Sequence, residues 1–121
     1  MRILVAEDFD DTRLMMRLLL EMNGHSVLEA TDGREAVIVA EREHPDLVLM
    51  DLNIPVLDGI SATRLLHERP ATSAVPVVAV TAHCGDSEWR DRAIEAGCVE
   101  CVGKPLDFSK LEELIDRVSG G

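Results

Sequence analysis

Short apolar runs return along the chain, and between them the apolar positions fall at helical spacing. RILVA (2–6), SVLEA (26–30), DLVLM (46–50), VPVVAVT (75–81) and VECVG (99–103) have the length and residue types of strands. DLVLM is continuously apolar, as a strand covered on both faces should be, and Pro76 suits the opening of the fourth run. From Asp10 onward Leu14, Met15, Leu18, Leu19 and Met22 share one helical face, with Asn23-Gly24 as the stop. Ala36, Val37 and Ala40 suit a helix packed closely on a sheet and closed before Pro45. A third helix is predicted over Gly59 to His67, ended by RPATSAVP, and a fourth around Glu88 to Ala96, stopped by Gly97. Leu111, Leu114, Ile115 and Val118, spaced i, i+3, i+4, i+7, mark a last amphipathic helix. Strands alternating with helices predict an α/β fold, a parallel sheet covered by helices. There are no repeats, low-complexity tracts or linkers, so residues 1–121 are read as a single domain.

Charge narrows the function. Twenty-three acidic residues against twelve basic give a formal net charge of -11, which repels phosphate backbones and anionic membrane surfaces. Direct nucleic-acid binding is therefore not expected. The start MRILVAED is too short in apolar residues for a signal peptide, and no apolar run approaches membrane-spanning length. A soluble, cytoplasmic chain without membrane insertion is expected, with Cys84, Cys98 and Cys101 as reduced thiols.

In a sheet of this kind the functional atoms gather at the carboxyl ends of the strands. Glu7 and Asp8 follow the first run, Asp51 the third, Thr81 the fourth, and Lys104-Pro105 the fifth. The second run ends at Thr31 on the sheet edge and offers no charge. An aspartate at the mouth of an apolar strand is costly to desolvate without a partner. Three converging carboxylates repel one another, and a hard divalent cation such as Mg²⁺ relieves that repulsion through oxygen ligands. A carboxylate can also act as a nucleophile and form an aspartyl phosphate, with a lysine and a hydroxyl neutralising the phosphoryl oxygens.

VAEDFDDTR, LMDLNIPVLDG, VVAVTAH and VGKPLD, in this order, resemble the receiver domain of two-component response regulators. The resemblance runs from Arg2 to about Val118. It implies a flavodoxin-like, doubly wound five-stranded parallel sheet of order 2-1-3-4-5 flanked by five helices. It implies that Asp51 accepts a phosphoryl group from a histidine kinase or histidine phosphotransfer protein. Asp8 and Asp51 would be direct Mg²⁺ ligands, Glu7 would act on the metal largely through water, and Asn53 would offer its backbone carbonyl. Thr81 would be the hydroxyl that contacts the phosphoryl group, Lys104 the cation that pairs with it, and the bond before Pro105 would be cis. A downstream protein or output domain would read the phosphorylated state on the face of the fourth helix, fifth strand and last helix. With no output domain after Gly121, the chain is expected to be a stand-alone regulator or an excised receiver. Loop 52–59 is expected to leave backbone amides free for phosphate.

Other residues receive plainer readings. Asp10 and Asp11 are first-turn carboxylates favoured by the helix dipole. His25, His44 and His67 are read as surface or loop residues, His83 as a border of the site, and Trp89 as a packing residue. CVEC (98–101) has the spacing of a redox or metal half-site, but a zinc site would also need His83 and Cys84. Packing of these thiols as small hydrophobes is the preferred reading. One departure from the family stands out. Its usual aromatic residue three positions before the lysine is replaced by Cys101, and the chain has no tyrosine, so ring rotation at that place cannot carry the signal. Two rivals remain: a phosphatase of the haloacid dehalogenase type, which needs a second carboxylate where Asn53 stands, and a thiol redox module.

Overall fold

The computed structural model describes residues 1–118. These form, in chain order, β1 (Arg2–Ala6), α1 (Asp10–Met22), β2 (Ser26–Ala30), α2 (Gly33–Glu43), β3 (Leu47–Asp51), α3 (Gly59–Glu68), β4 (Val77–Thr81), α4 (Ser87–Ala96), β5 (Glu100–Gly103) and α5 (Phe108–Val118). The strands make one parallel sheet in the order β2-β1-β3-β4-β5. The strand order reverses between β1 and β3, which places a crevice above their carboxyl ends.

Alternate side chains of each central strand enter opposite layers. Leu4, Ala6, Val48, Met50, Val77 and Ala79 pack with residues of α2, α3 and α4. Ile3, Val5, Leu47, Leu49, Val78 and Val80 pack with α1 and α5 through Met16, Leu20, Leu111, Leu114 and Ile115. Burial of β3 along its full length explains its unbroken apolar sequence. The strand includes Asp51 as its last residue, one position beyond the expected end. β4 begins at Val77 rather than Val75, because Pro76 has no N–H to donate and serves only as acceptor from Val48.

In helix α1 the predicted apolar positions do share one face, but a different face meets the sheet. The stripe of Leu14, Met15, Leu18 and Met22 faces outward, with Leu18 49% and Met22 81% exposed, while Met16 and Leu20 meet the sheet. Arg13 and Arg17 flank the buried side and reach Glu29 on β2 at 3.2 and 3.0 Å. The helix thus carries two apolar faces, and periodicity alone cannot say which one is covered. The histidines follow the surface-or-loop expectation at His44 and at His25, which lies in the loop between α1 and β2, but not at His67, which lies within α3. His44 is exposed and ends α2 in the left-handed region, but His25 is mostly buried and lies 3.4 Å from Glu112. His67 is half-buried on α3, against Gly97.

Two glycines fix the loop that follows Asp51. A Cβ on Gly33, at the start of α2, would lie 1.6 Å from the Leu57 carbonyl oxygen. The Gly33 amide also donates to the Pro55 carbonyl at 3.2 Å, so α2 docks directly on the loop. A Cβ on Gly59 would lie 2.4 Å from the Asp51 carbonyl oxygen. Between these anchors Val56 holds φ at 69°, a conformation that β-branched residues rarely adopt.

Candidate functional site

The sheet brings Glu7, Asp8 and Asp51 together at the carboxyl ends of β1 and β3. One oxygen from each carboxylate lies within 4.8 Å of the others. Glu7 and Asp51 are only 2% and 4% exposed, whereas Asp8 faces solvent at the rim. Lys104 arrives from the end of β5, and its Nζ donates to Glu7 Oε1 and to Asp51 Oδ2, each at 2.9 Å. The other Asp51 oxygen, Oδ1, accepts the Asn53 backbone amide at 2.9 Å. Both oxygens are thereby engaged, and the carboxylate is held in one orientation.

Neighbouring backbone supports the arrangement. The Phe9 amide donates to Glu7 Oε2 at 3.2 Å, and Arg13 reaches the Glu7 carbonyl at 3.0 Å. The Lys104 amide donates to the Thr81 carbonyl at 3.0 Å, tying the ends of β4 and β5, and the Lys104-Pro105 bond is cis. Most of the loop's amides are already engaged: those of Leu57 and Gly59 bond to loop carbonyls, that of Leu52 to the Val80 carbonyl on β4, and that of Asn53 to Asp51. The expected row of free amides is therefore reduced to a few positions.

Thr81 is fully buried beside the site. Its Oγ1 accepts the His83 amide at 3.1 Å and, among the described residues, makes no hydrogen bond to Asp51 or Lys104. The Asn53 side chain is exposed and enters the site only through its backbone. Asp10 and Asp11 sit in the first turn of α1, outside the carboxylate group. The participation of Arg13 and the Phe9 amide was not legible in the sequence, since neither residue type signals it.

Electrostatics follow from burial and proximity. Burial first lifts the Glu7 carboxyl above its ordinary range, and the hydrogen bond and charge of Asp51 add to the lift; Lys104 and the Phe9 amide oppose it. Burial alone would lower the Lys104 ammonium, but its bonds to Glu7 and Asp51 outweigh this and hold it above its ordinary value. A clustered, partly desolvated set of hard oxygen donors with excess negative charge fits a divalent cation such as Mg²⁺.

That fit has a pH consequence. Because the folded state keeps the Glu7 proton to higher pH than the unfolded chain, stability without metal falls as pH rises from the ordinary value of 4.5 through the raised one. A divalent cation competes with that proton. The Mg²⁺-induced rise in melting temperature is therefore expected to be larger at about pH 8 than at about pH 5. In Glu7→Gln the difference should shrink. Equal shifts at both pH values in the parent protein would contradict the assignment.

The cysteines form no comparable centre. Cys84, Cys98 and Cys101 are free, and Cys98 and Cys101 are buried. Burial, followed by a hydrogen bond with Cys84, pushes the Cys101 thiol up to about 12, which makes it a poor thiolate at neutral pH. Among the described residues the group of His, Cys, Asp or Glu able to hold a metal is the acidic one. No helix among them is long and apolar enough to cross a membrane.

Comparison with known proteins agrees with this geometry. The response regulator receiver domain profile matches residues 3–116. The chain is 37% identical to protein PilH of Pseudomonas aeruginosa, over 99% of this chain and 98% of that one. It is 32% identical to the polar-differentiation response regulator DivK of Brucella ovis, over 98% and 95%. Among solved structures, the receiver domain of sensor histidine kinase PA1611 from Pseudomonas aeruginosa, with a magnesium ion coordinated in its active-site cleft, superimposes with a TM-score of 0.91. That pair is 33% identical, over 99% of this chain and 98% of the other. Chemotaxis response regulator CheY4 of Vibrio cholerae gives a TM-score of 0.90 at 25% identity, over 97% of each chain. Matched along its length in sequence and in strand order, the chain belongs to the response regulator receiver domains, the signalling modules of two-component systems.

Proposed function

We propose that the chain acts as a single receiver domain over residues 1–121, in the cytoplasm, with Asp51 accepting a phosphoryl group from phosphohistidine on a histidine kinase or a histidine phosphotransfer protein. The observation that carries this reading is Lys104 Nζ, 2.9 Å from both Asp51 and Glu7, two members of a three-carboxylate cluster. A lysine so placed holds the acceptor and presents a cation where phosphoryl oxygens must arrive.

In the transfer an Asp51 carboxylate oxygen attacks phosphorus in line with the departing imidazole nitrogen. The P–N bond breaks, a P–O bond forms, and the imidazole leaves neutral, keeping the proton already on its other ring nitrogen. The protein's contribution is positioning and charge neutralisation, because this chemistry needs little proton transfer at the acceptor. Glu7, Asp8, Asp51 and the Asn53 carbonyl would hold Mg²⁺, which when bound supplies further neutralisation of the phosphoryl oxygens. Thr81 donates a hydroxyl hydrogen bond to a phosphoryl oxygen. The same residues would take part in autodephosphorylation. The phosphorylated state then biases a two-state equilibrium that a downstream protein reads on the face of α4, β5 and α5.

The test is intact-mass measurement after incubation with acetyl phosphate. The expected result is a gain of one phosphoryl group with Mg²⁺ and none after chelation. Multiple turnover of a phosphomonoester without a retained adduct would overturn the reading in favour of a phosphatase.

A further inference from the structure

His83 stands at a junction between the site and α4. Its backbone N–H donates to the buried Thr81 hydroxyl oxygen at 3.1 Å. Its carbonyl accepts the amide of Asp86, the N-cap of α4, at 2.9 Å. Its ring stacks on Trp89 in the first turn of that helix, with centroids 5.2 Å apart and planes 14° from parallel. On Trp89 lies a further charge, the Arg92 guanidinium, 4.9 Å from the ring centre. Trp89 itself is half-buried against the core layer that contains Cys101.

We infer that His83 is a positioning residue that couples the state of the phosphoryl site to α4 through its stack on Trp89. The inference rests on the reading of Asp51 as phosphoacceptor and Thr81 as the hydroxyl that meets the phosphoryl group. Threonine is β-branched, so its Oγ1 occupies discrete staggered positions rather than sliding between them. When that hydroxyl turns to donate to a phosphoryl oxygen, its lone pairs turn as well, and the His83 amide must follow or lose its acceptor. Because the same residue holds the cap of α4 by its carbonyl and Trp89 by its ring, a shift of His83 displaces the helix start. Cys101 has no ring to transmit the change across β5, so the route along residues 81–89 is left to serve.

Trp89 is the chain's one tryptophan and there is no tyrosine, so its emission can be read without interference. The probe is beryllofluoride with Mg²⁺, and its binding is followed separately by fluorine NMR. In the parent protein, binding is expected to change Trp89 emission. His83→Ala keeps the backbone amide but removes the ring; it should still show bound beryllofluoride while the emission change is lost. His83→Phe, which restores a stacking ring, should recover the change. Bound beryllofluoride with unaltered emission in the parent, or a full response in His83→Ala, overturns the coupling and leaves the phosphoacceptor reading intact. Absence of bound beryllofluoride in the parent overturns both.

Discussion

Alanine at Lys104 is expected to slow phosphoryl uptake at Asp51 by about a hundredfold or more, the usual effect of removing one preorganised charged donor from a transition state. Nζ is the one side-chain cation bonded to both Glu7 and Asp51 among the described residues. Its loss leaves two buried carboxylates facing each other. A stability cost of about 2 kcal/mol without metal should accompany the change, below the range for fully buried pairs because Lys104 is partly exposed. The two effects can be separated. Mg²⁺ should recover much of the melting temperature, since it also relieves carboxylate repulsion, but not the rate. A Lys104→Ala protein that takes up phosphoryl groups from acetyl phosphate within a few-fold of the parent rate would show that this cation is only structural.

Gly59→Ala tests the other support of the acceptor, and the sign of its effect is diagnostic. By helix propensity alone, alanine at the first position of α3 would be favoured over glycine by up to about 1 kcal/mol. Close contact predicts the reverse. The added carbon would lie 2.4 Å from the Asp51 carbonyl oxygen and 2.7 Å from the Leu52 Cα, both of them backbone atoms without rotamer freedom. The strand end must therefore shift, at a cost of about 2 to 3 kcal/mol, with a further loss of phosphorylation rate as Asp51 moves off Lys104. Urea unfolding with an unchanged m-value would report the stability term. Gly85→Ala, where the added carbon meets nothing within 4 Å, is the control. A stabilised Gly59→Ala protein would contradict the close approach.

The site was legible in the sequence to the extent that it depends on strand ends. In a parallel sheet the residue at the end of each apolar run is delivered to one edge, so the sequence alone groups Glu7, Asp8, Asp51, Thr81 and Lys104. Strand order came with the family resemblance and agrees with the sheet. What was not legible depends on which of two faces a helix turns inward, or on contacts between distant residues. α1 is the clearest case: Leu14, Leu18 and Met22 make a better stripe than Met16 and Leu20, yet the latter pair is covered. Gly59 reads only as an ordinary helix start and Gly33 draws no reading at all, because nothing in their neighbours announces the carbonyls that press on them. The stack of His83 on Trp89 was equally silent. It arises from the path of the loop between β4 and α4, not from any spacing pattern.

Reductive trapping identifies directly the group that carries phosphorus. Borohydride converts an aspartyl phosphate to homoserine, which peptide mass spectrometry can locate. After incubation with acetyl phosphate and Mg²⁺, the expected result is homoserine at position 51 and none at Asp8, with the product absent in Asp51→Ala. Homoserine at another aspartate, or a phosphoryl adduct that survives in Asp51→Ala, would contradict it.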